Sequence, residues 1–417
     1  SPQGGGRGVA AGLVLPACAA GQARPNQPDI FTPGAATMDR RSLILGAGGA
    51  LALVAVGGVW RVTRMPQTAM TPWDLPPPPP ADVRLDALRH AILAPNPHNR
   101  QPWLLRLDGS DGVIVTCDPN KRLPMTDPYD RQITIGFGTF IELARIAASA
   151  RGNRIEVTPF PAGAPEMPAR LDARPVAHLR FVADASVTRD PLLDAVTQRR
   201  TTREKFDAAP TPAQVAALSE PLPGVLRTAT ADPAKLAAIR AVTVAATTIE
   251  NTTQRTWMES VDLMRIGAAE IDAQPDGLFL SGPMAEAGSA TGLLTRAALA
   301  DQSSSIYKTG LDQQRALSES LPGAVWIITP ANTRADQLRA GAAYLRTTLT
   351  AQALGLKMHP QSQALQEYPE MATHYAAIQA LLGAGGAARV QMLARLGTGP
   401  VVGPAPRWPV EKHLLSA

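Results

Sequence analysis

From residue 131 to 152 the chain reads RQITIGFGTFIELARIAASARG, with apolar or small residues on every side of a helical wheel and a glycine where a helix would stop. A helix without a polar stripe belongs in the interior, and Gly152 suits the left-handed position just past its end. The pattern predicts a long buried helix over 131–152. Ahead of it, Asp82 can cap a helix whose Leu85, Leu88 and Ile92 recur at helical spacing until Pro95 ends it. WLLRL (103–107) and VIVTC (113–117) read as strands, with DGSDG between them as a hairpin connection. RIEVTPF (154–160) and VAHLRFVAD (176–184) are two further strands.

The same order returns later. Strand AVWIITPAN (324–332) precedes helix RADQLRAGAAYLRTTLTAQALG (334–355), then strands LKMHP (356–360) and VQMLARLG (390–397). Gly138 stands fourteen residues before Gly152, as Gly341 does before Gly355. Two helix–strand units can resemble each other by chance. If the repeat is real, the chain is a pseudo-dimer, with a two-fold-like interface inside one polypeptide.

TRDPLLDAVTQRRTTREKF (188–206) opens the later half. Asp190 caps, Pro191 takes the first helical position, and Leu192, Leu193 and Val196 face inward. That predicted helix runs into Arg199, Arg200, Thr201, Thr202 and Arg203. Three guanidinium forks with two hydroxyls suit a phosphate dianion. The other reading is a solvated basic helix end, where the macrodipole favours cations.

Composition narrows the classes. With 417 residues, 45% of them hydrophobic, the chain can bury a large core in two or three folding units. The net charge of +5 is mostly arginine and scattered, and aromatics are only 4%, so a nucleic-acid groove is not expected. Cys18 and Cys117 are too far apart to suggest a disulfide framework, and the six histidines show no ligand spacing, so no metal is expected. GSATG (288–292) lacks the nucleophile-elbow order, and no metalloprotease or P-loop motif occurs.

MDRRSLILGAGGALALVAVGGVW (38–60) sets Arg40 and Arg41 before an apolar run and resembles a twin-arginine export signal. Leu51 stands where a dinucleotide-binding loop needs glycine. Residues 1–37 are then a disordered or pre-start segment, 38–64 a signal that is removed or stays as an anchor, and 65–81 a stiff proline-rich linker. The folded body is expected from Asp82, and the destination is the periplasm or cell envelope.

APNPHNRQPW (94–103) is poor as helix or strand and good at presenting amides and bare backbone. It resembles the A-P-S-x-x-N-x-Q-P-W motif of the nitroreductase family of FMN flavoproteins. RRTTREKF (199–206) resembles that family's R-R-S-x-R-x-F, LGLKMHPQS (354–362) its flavin-face loop, and LGTGPVVGPAPRWPVEKH (396–413) its closing strand and phosphate arginine. The resemblance covers most of 82–417 and is closest to the Acg-like branch of fused pseudo-dimers. It implies an α+β, nitroreductase-like three-layer sandwich, with halves at 82–188 and 189–417 and one FMN at their junction.

Carried over by position, Arg199, Arg200, Thr201, Arg203 and Arg407 would hold the phosphate, with Thr201 in place of the usual serine. Asn96, Pro97, Asn99 and Gln101 would lie along the ring and ribityl chain, with Pro97 lacking a donor N–H. Amides suit an edge of alternating carbonyl and N–H groups. Backbone groups of Pro360, Gln361 and Ser362 would approach the ring face, and Trp103 and Leu105 would anchor the loop in the core. No catalytic side chain is implied, since the flavin carries the chemistry. Residues 258–322, rich in Gly, Ser and Met and containing a DGL turn, are a long insertion, either a lid or a peripheral excursion. The implied function is an exported FMN oxidoreductase passing hydride to a small electron acceptor such as a nitroaromatic or quinone. The alternative is an FMN-sequestering or redox-sensing protein whose lid excludes NAD(P)H.

Overall fold

The computed structural model describes residues 64–416. The expected export signal up to Thr63, the segment before it and Cys18 lie outside the described residues.

Asp82 caps the first helix, α1 (Val83–Ala91), its carboxylate accepting from Arg84 N at 2.8 Å. The hairpin follows as β1 (Trp103–Asp108) and β2 (Gly112–Cys117), then the buried helix α2 (Arg131–Ser149), β3 (Asn153–Pro159) and β4 (Ala177–Ala183). These strands form one antiparallel sheet in the order β1-β2-β4-β3.

The later half begins with α3 (Pro212–Ala217), β5 (Leu226–Thr230) and α4 (Pro233–Thr252). An insertion carries α5 (Gln254–Asp262), β6 (Met264–Ile266), α6 (Gly267–Ala273), β7 (Leu278–Leu280), α7 (Pro283–Ala290), α8 (Arg296–Ala300) and α9 (Ser305–Glu319). Then come β8 (Ala324–Thr329), α10 (Arg334–Ala353), β9 (Lys357–Pro360), α11 (Ala372–Leu381) and β10 (Arg389–Gly397). The second antiparallel sheet runs β5-β8-β10-β9. Replacing β1, β2, β3 and β4 by β5, β8, β9 and β10 turns the first strand order into the second.

Helices α2 and α10 pack on each other, and both supply the core against each sheet. Phe137 and Phe140 of α2 with Leu345 and Leu349 of α10 join the cluster under the first sheet. Ile135 of α2 with Ala343 and Tyr344 of α10 join the cluster under the second. A third cluster, around Leu236, Ile239 and Ile378, covers the far face of the second sheet with α4 and α11. Among the described residues no helix is long and apolar enough to cross a membrane.

Three expectations change. The helix predicted from Pro191 is only a 3-10 turn, Pro191–Ala195. The backbone beyond it pairs with β9 instead, Thr202 N donating to Met358 O at 3.0 Å, so the arginines do not sit on a helix end. The linker expected at 65–81 is partly folded: Thr68–Trp73 is a 3-10 helix with Ala69 and Trp73 buried, because Trp73 finds apolar and cationic partners on the body. The insertion at 258–322 is not a loop. Trp257, Val261, Met264, Ile266, Leu299 and Tyr307 give it a core, and β6 pairs with β7 in parallel.

Candidate functional site

Pro95 stops α1, and the segment after it takes up a conformation that few residues favour. His98, Asn99 and Gln101 all have positive φ, 45°, 52° and 51°. Such backbone persists only where the surroundings over-determine it. Here they do. Asn96 Oδ1 accepts from Gln101 N at 2.8 Å, Asn99 Nδ2 donates to Pro406 O at 2.9 Å, and Gln101 Oε1 accepts from Trp408 N at 2.9 Å. Gln101 Nε2 donates to Pro275 O at 2.6 Å. The segment sits close on α2 because Gly136 has no Cβ, which would lie 3.2 Å from Pro97 Cδ. Trp103 and Leu105, fully buried, anchor its end, with Trp103 stacked on Phe140 at 4.8 Å between centroids.

The side-chain amides of Asn96, Asn99 and Gln101 are engaged inside the loop and with the C-terminal stretch, so they shape the segment rather than offer a free edge. A short buried loop leaves its own backbone polar groups to satisfy, and the amides do that first.

Arg407 is also committed. Its Nε donates to Ile92 O at 2.8 Å, Nη1 to Pro406 O at 2.9 Å and to Asn99 Oδ1, and Nη2 to Leu93 O and Ala94 O, each at 3.2 Å. All five donors are used, three of the acceptors being carbonyls past the end of α1. Arg407 therefore fixes the loop and cannot also grip a phosphate without giving up a bond. Arg199 differs. It is 5% exposed, and among the described residues its guanidinium makes one hydrogen bond, a long one, Nη2 to Leu93 O at 3.4 Å. The two arginines thus share the Leu93 carbonyl.

The charge around them is uncompensated. Burial pulls Arg407 down to about 9, with Arg199 and Arg200 adding to the effect, and pulls Arg199 down to about 10. Among the described residues no carboxylate acts on Arg199, Arg200 or Arg407, and Arg203 feels only Glu250. Some buried arginines have an acid, as Arg131 has Glu367 at 3.1 Å and Arg265 has Asp276 at 2.9 Å, while Arg227 and Arg395 donate to backbone carbonyls instead. A cluster of cations without an acid is what an anion completes.

Arg203 is solvent-exposed, and its charge reaches a histidine in each half. Burial lowers His98 to about 4, with Arg203 and Arg100 contributing, and lowers His359 well below its usual range, with Arg395 and Arg203 contributing. His359 Nδ1 accepts from Arg395 Nε at 3.0 Å, which leaves its proton on Nε2. The Arg203 charge thus acts both on His98 of the NPHN segment and on His359 of β9. Among the described residues three buried polar atoms of these segments have no hydrogen-bond partner: His98 Nδ1, Thr202 Oγ1 and Gln361 Oε1.

Thr201, expected at the phosphate, is exposed and bridges to Met358, whereas the adjacent Thr202 is fully buried. Pro360 pairs with Ala394 at the end of β9, and the Gln361 N–H is taken by Leu393 O at 2.8 Å, so that backbone donor is not open to a ligand. Ser362, half-buried, follows directly.

The insertion docks on the same loop. Asp276 of the DGL turn is buried and ion-paired with Lys121, with Arg265 at 2.9 Å and with Arg100 at 3.6 Å. Gly277 N donates to Asn99 O at 3.2 Å, and Glu259 accepts from Met125 N and Thr126 N at 2.8 and 3.0 Å. Gly277 has φ +80°, and a Cβ there would stand 2.2 Å from Leu263 O. A hollow of about 260 Å³ lined by Asp108, Ile114, Thr158, Pro161, Pro175 and His178 shares no residue with this site.

No family model matches the sequence. Over 147 residues the chain is 31% identical to acg of Mycobacterium tuberculosis, a protein named as a candidate NAD(P)H nitroreductase, the match covering 35% of this chain and 40% of acg. Rv3131 of the same organism, with the same form of name, is 26% identical over 369 residues, or 80% of this chain and 93% of that protein. Among solved structures, the FMN-dependent nitroreductase NfnB of Mycobacterium smegmatis superposes with a TM-score of 0.33 at 14% identity, over 53% of this chain and 97% of its own. An FMN- and NADPH-dependent NfnB from a strain printed as sphigopyxis sp. HMH gives 0.31 at 17% identity, over 53% and 94%.

Proposed function

We propose that this chain is an FMN-dependent oxidoreductase of the nitroreductase type, acting on a small electrophile such as a nitroaromatic or quinone. The observation that carries the reading is the cluster of Arg199, Arg200 and Arg203, without a carboxylate partner on the first two, beside the NPHNRQ loop. The residues fit a phosphate ester bearing a polar ring. Arg199 and Arg203 have donors to give, Arg200 holds a buried Nε without a partner, and Thr202, Gln361 and His98 offer unpaired polar atoms. Arg407, Asn96, Asn99 and Gln101 act one step back, holding the strained loop in register.

When bound, FMN supplies hydride acceptance and donation at N5. The chain's own contribution is positional. The arginines fix the phosphate end, β9 and residues 360–362 form one wall, and His98 and His359, kept neutral, add no charge beside the ring. The matched strand orders of the two sheets support a fused pseudo-dimer with one site at the junction, and the insertion over Asn99 and Gln101 is its lid. Residues 38–60 support export by the twin-arginine route to the cell envelope, where a folded, loaded flavoprotein would arrive intact.

A second reading, flavin sequestration or redox sensing, is favoured by the docking of Asp276 and Gly277 on the loop. A lid held this firmly would exclude NAD(P)H. Anaerobic mixing separates the two. Bleaching of the yellow protein by NADPH supports the reductase, and bleaching by dithionite alone supports the sequestering protein. A purified, correctly folded chain that binds no FMN overturns both.

A further inference from the structure

The phosphate end of the site has an unexpected neighbour. Trp73, 7% exposed, lies in the 3-10 helix Thr68–Trp73 that precedes the body. Its ring lies beneath two guanidiniums, 4.8 Å from Arg200 and 5.5 Å from Arg407. Stacking on indole occupies the flat face of a guanidinium and leaves its edge donors for a planar or tetrahedral anion. The Nε of Arg200 is one such donor, buried and unpaired.

The segment is tied at both sides. Asp272 of α6 accepts from Gln67 N at 3.0 and 3.2 Å and from Ala69 N at 3.0 Å. On the opposite side Arg407 N donates to Ala69 O at 2.9 Å, and Trp73 Nε1 donates to Ala405 O at 2.8 Å. Residues 67–73 therefore bridge the insertion and the C-terminal stretch directly over the cation cluster. Between these ties Gln67, Thr68 and Thr71 are exposed, so the bridge has little apolar burial beyond Ala69 and Trp73 to hold it shut.

We propose that residues 67–73 are a strap that retains a phosphate-bearing ligand, with Trp73 as the outer wall of the arginine cluster and Asp272 as the latch. This rests on the flavin reading for the ligand's identity, but not for its phosphate. The strap acts at the phosphate end only, so it slows release of FMN and leaves riboflavin unaffected.

The test compares dissociation rates of FMN and riboflavin from the full chain, W73A, W73F and D272N, with thermal denaturation of each. W73A and D272N are expected to release FMN about tenfold faster, the effect of losing one or two hydrogen bonds or a cation–π contact. W73F, which keeps a ring, should lie between, and riboflavin release should not change. Unchanged FMN release in D272N and W73F overturns the strap, as does equal acceleration for both flavins. A wild-type chain that binds no FMN overturns the flavin reading instead. The affinities of the same variants for inorganic phosphate then decide the strap alone, and equal affinities reject it.

Discussion

Gly138 of α2 and Gly341 of α10 meet at the crossing of the two central helices, and neither has room for a Cβ. On Gly138 that atom would stand 2.1 Å from Leu338 O, and on Gly341 it would stand 2.1 Å from Ile135 O. The contact is reciprocal, as in an isologous interface, and each glycine lies fourteen residues before another at positive φ, Gly152 and Gly355. G138A or G341A should each destabilise the protein by about 3 kcal/mol in urea denaturation, at the upper end of overpacking costs. The double variant should lose less than the sum, because one clash already parts the helices. Strict additivity, or a loss under about 0.5 kcal/mol, contradicts the crossing.

Arg199 and Arg407 share a carbonyl and should behave oppositely. R199A removes a buried cation with one long protein bond, so stability should hold or rise while FMN affinity falls about 10- to 100-fold, the worth of a charged hydrogen bond. R407A strips partners from Ile92, Leu93, Ala94 and Pro406 and from Asn99. It should cost about 2 kcal/mol or more in stability. Isothermal titration beside thermal melts reads both, and equal stability losses would refute the division of labour.

D276N should undock the insertion. One buried carboxylate holds Lys121, Arg265 and Arg100, and removing its charge leaves cations unpaired, a change that costs about 3–5 kcal/mol when the pair is buried. Limited proteolysis should then cut within 258–322 at least ten times faster, while the two sheets stay protected. Uniform protection would place the docking elsewhere.

His413 should make the protein acid-labile. Its Nε2 accepts from Trp103 Nε1 at 3.3 Å and its Nδ1 faces Trp103 O at 3.1 Å, so the neutral ring is the one that fits. Burial lowers it to about 4. A base whose folded value is depressed binds fewer protons in the folded state, so its contribution is complete above about 6.5 and is lost as pH falls towards 4. That contribution amounts to about 3 kcal/mol. Melting temperature should fall over this window, and H413Q should flatten part of the fall. An identical pH profile for H413Q rules the residue out.

Some of this was legible along the chain. The apolar run of α2, the alternation of β1 and β2 and the cap at Asp82 are properties of residues a few positions apart, and neighbours alone decide them. Gly138 and Gly341 stood out by their equal spacing from Gly152 and Gly355, because a close helix crossing leaves a mark at single positions. The loop and arginine motifs stood out as residue types in the wrong company for helix or strand.

What the local pattern could not decide was which polar groups find partners. The amide of Asn99 faces Arg407, 308 positions away, and Asp272 catches Gln67 across 205. Thr201 and Thr202 are adjacent and chemically alike, yet pairing of the chain with β9 leaves one in water and buries the other. Trp73 looked like part of a spacer until Arg200 and Arg407 were folded against it. Helix and strand follow from short-range periodicity, whereas burial and the pairing of charges depend on where distant segments come to rest, and only the folded chain settles that.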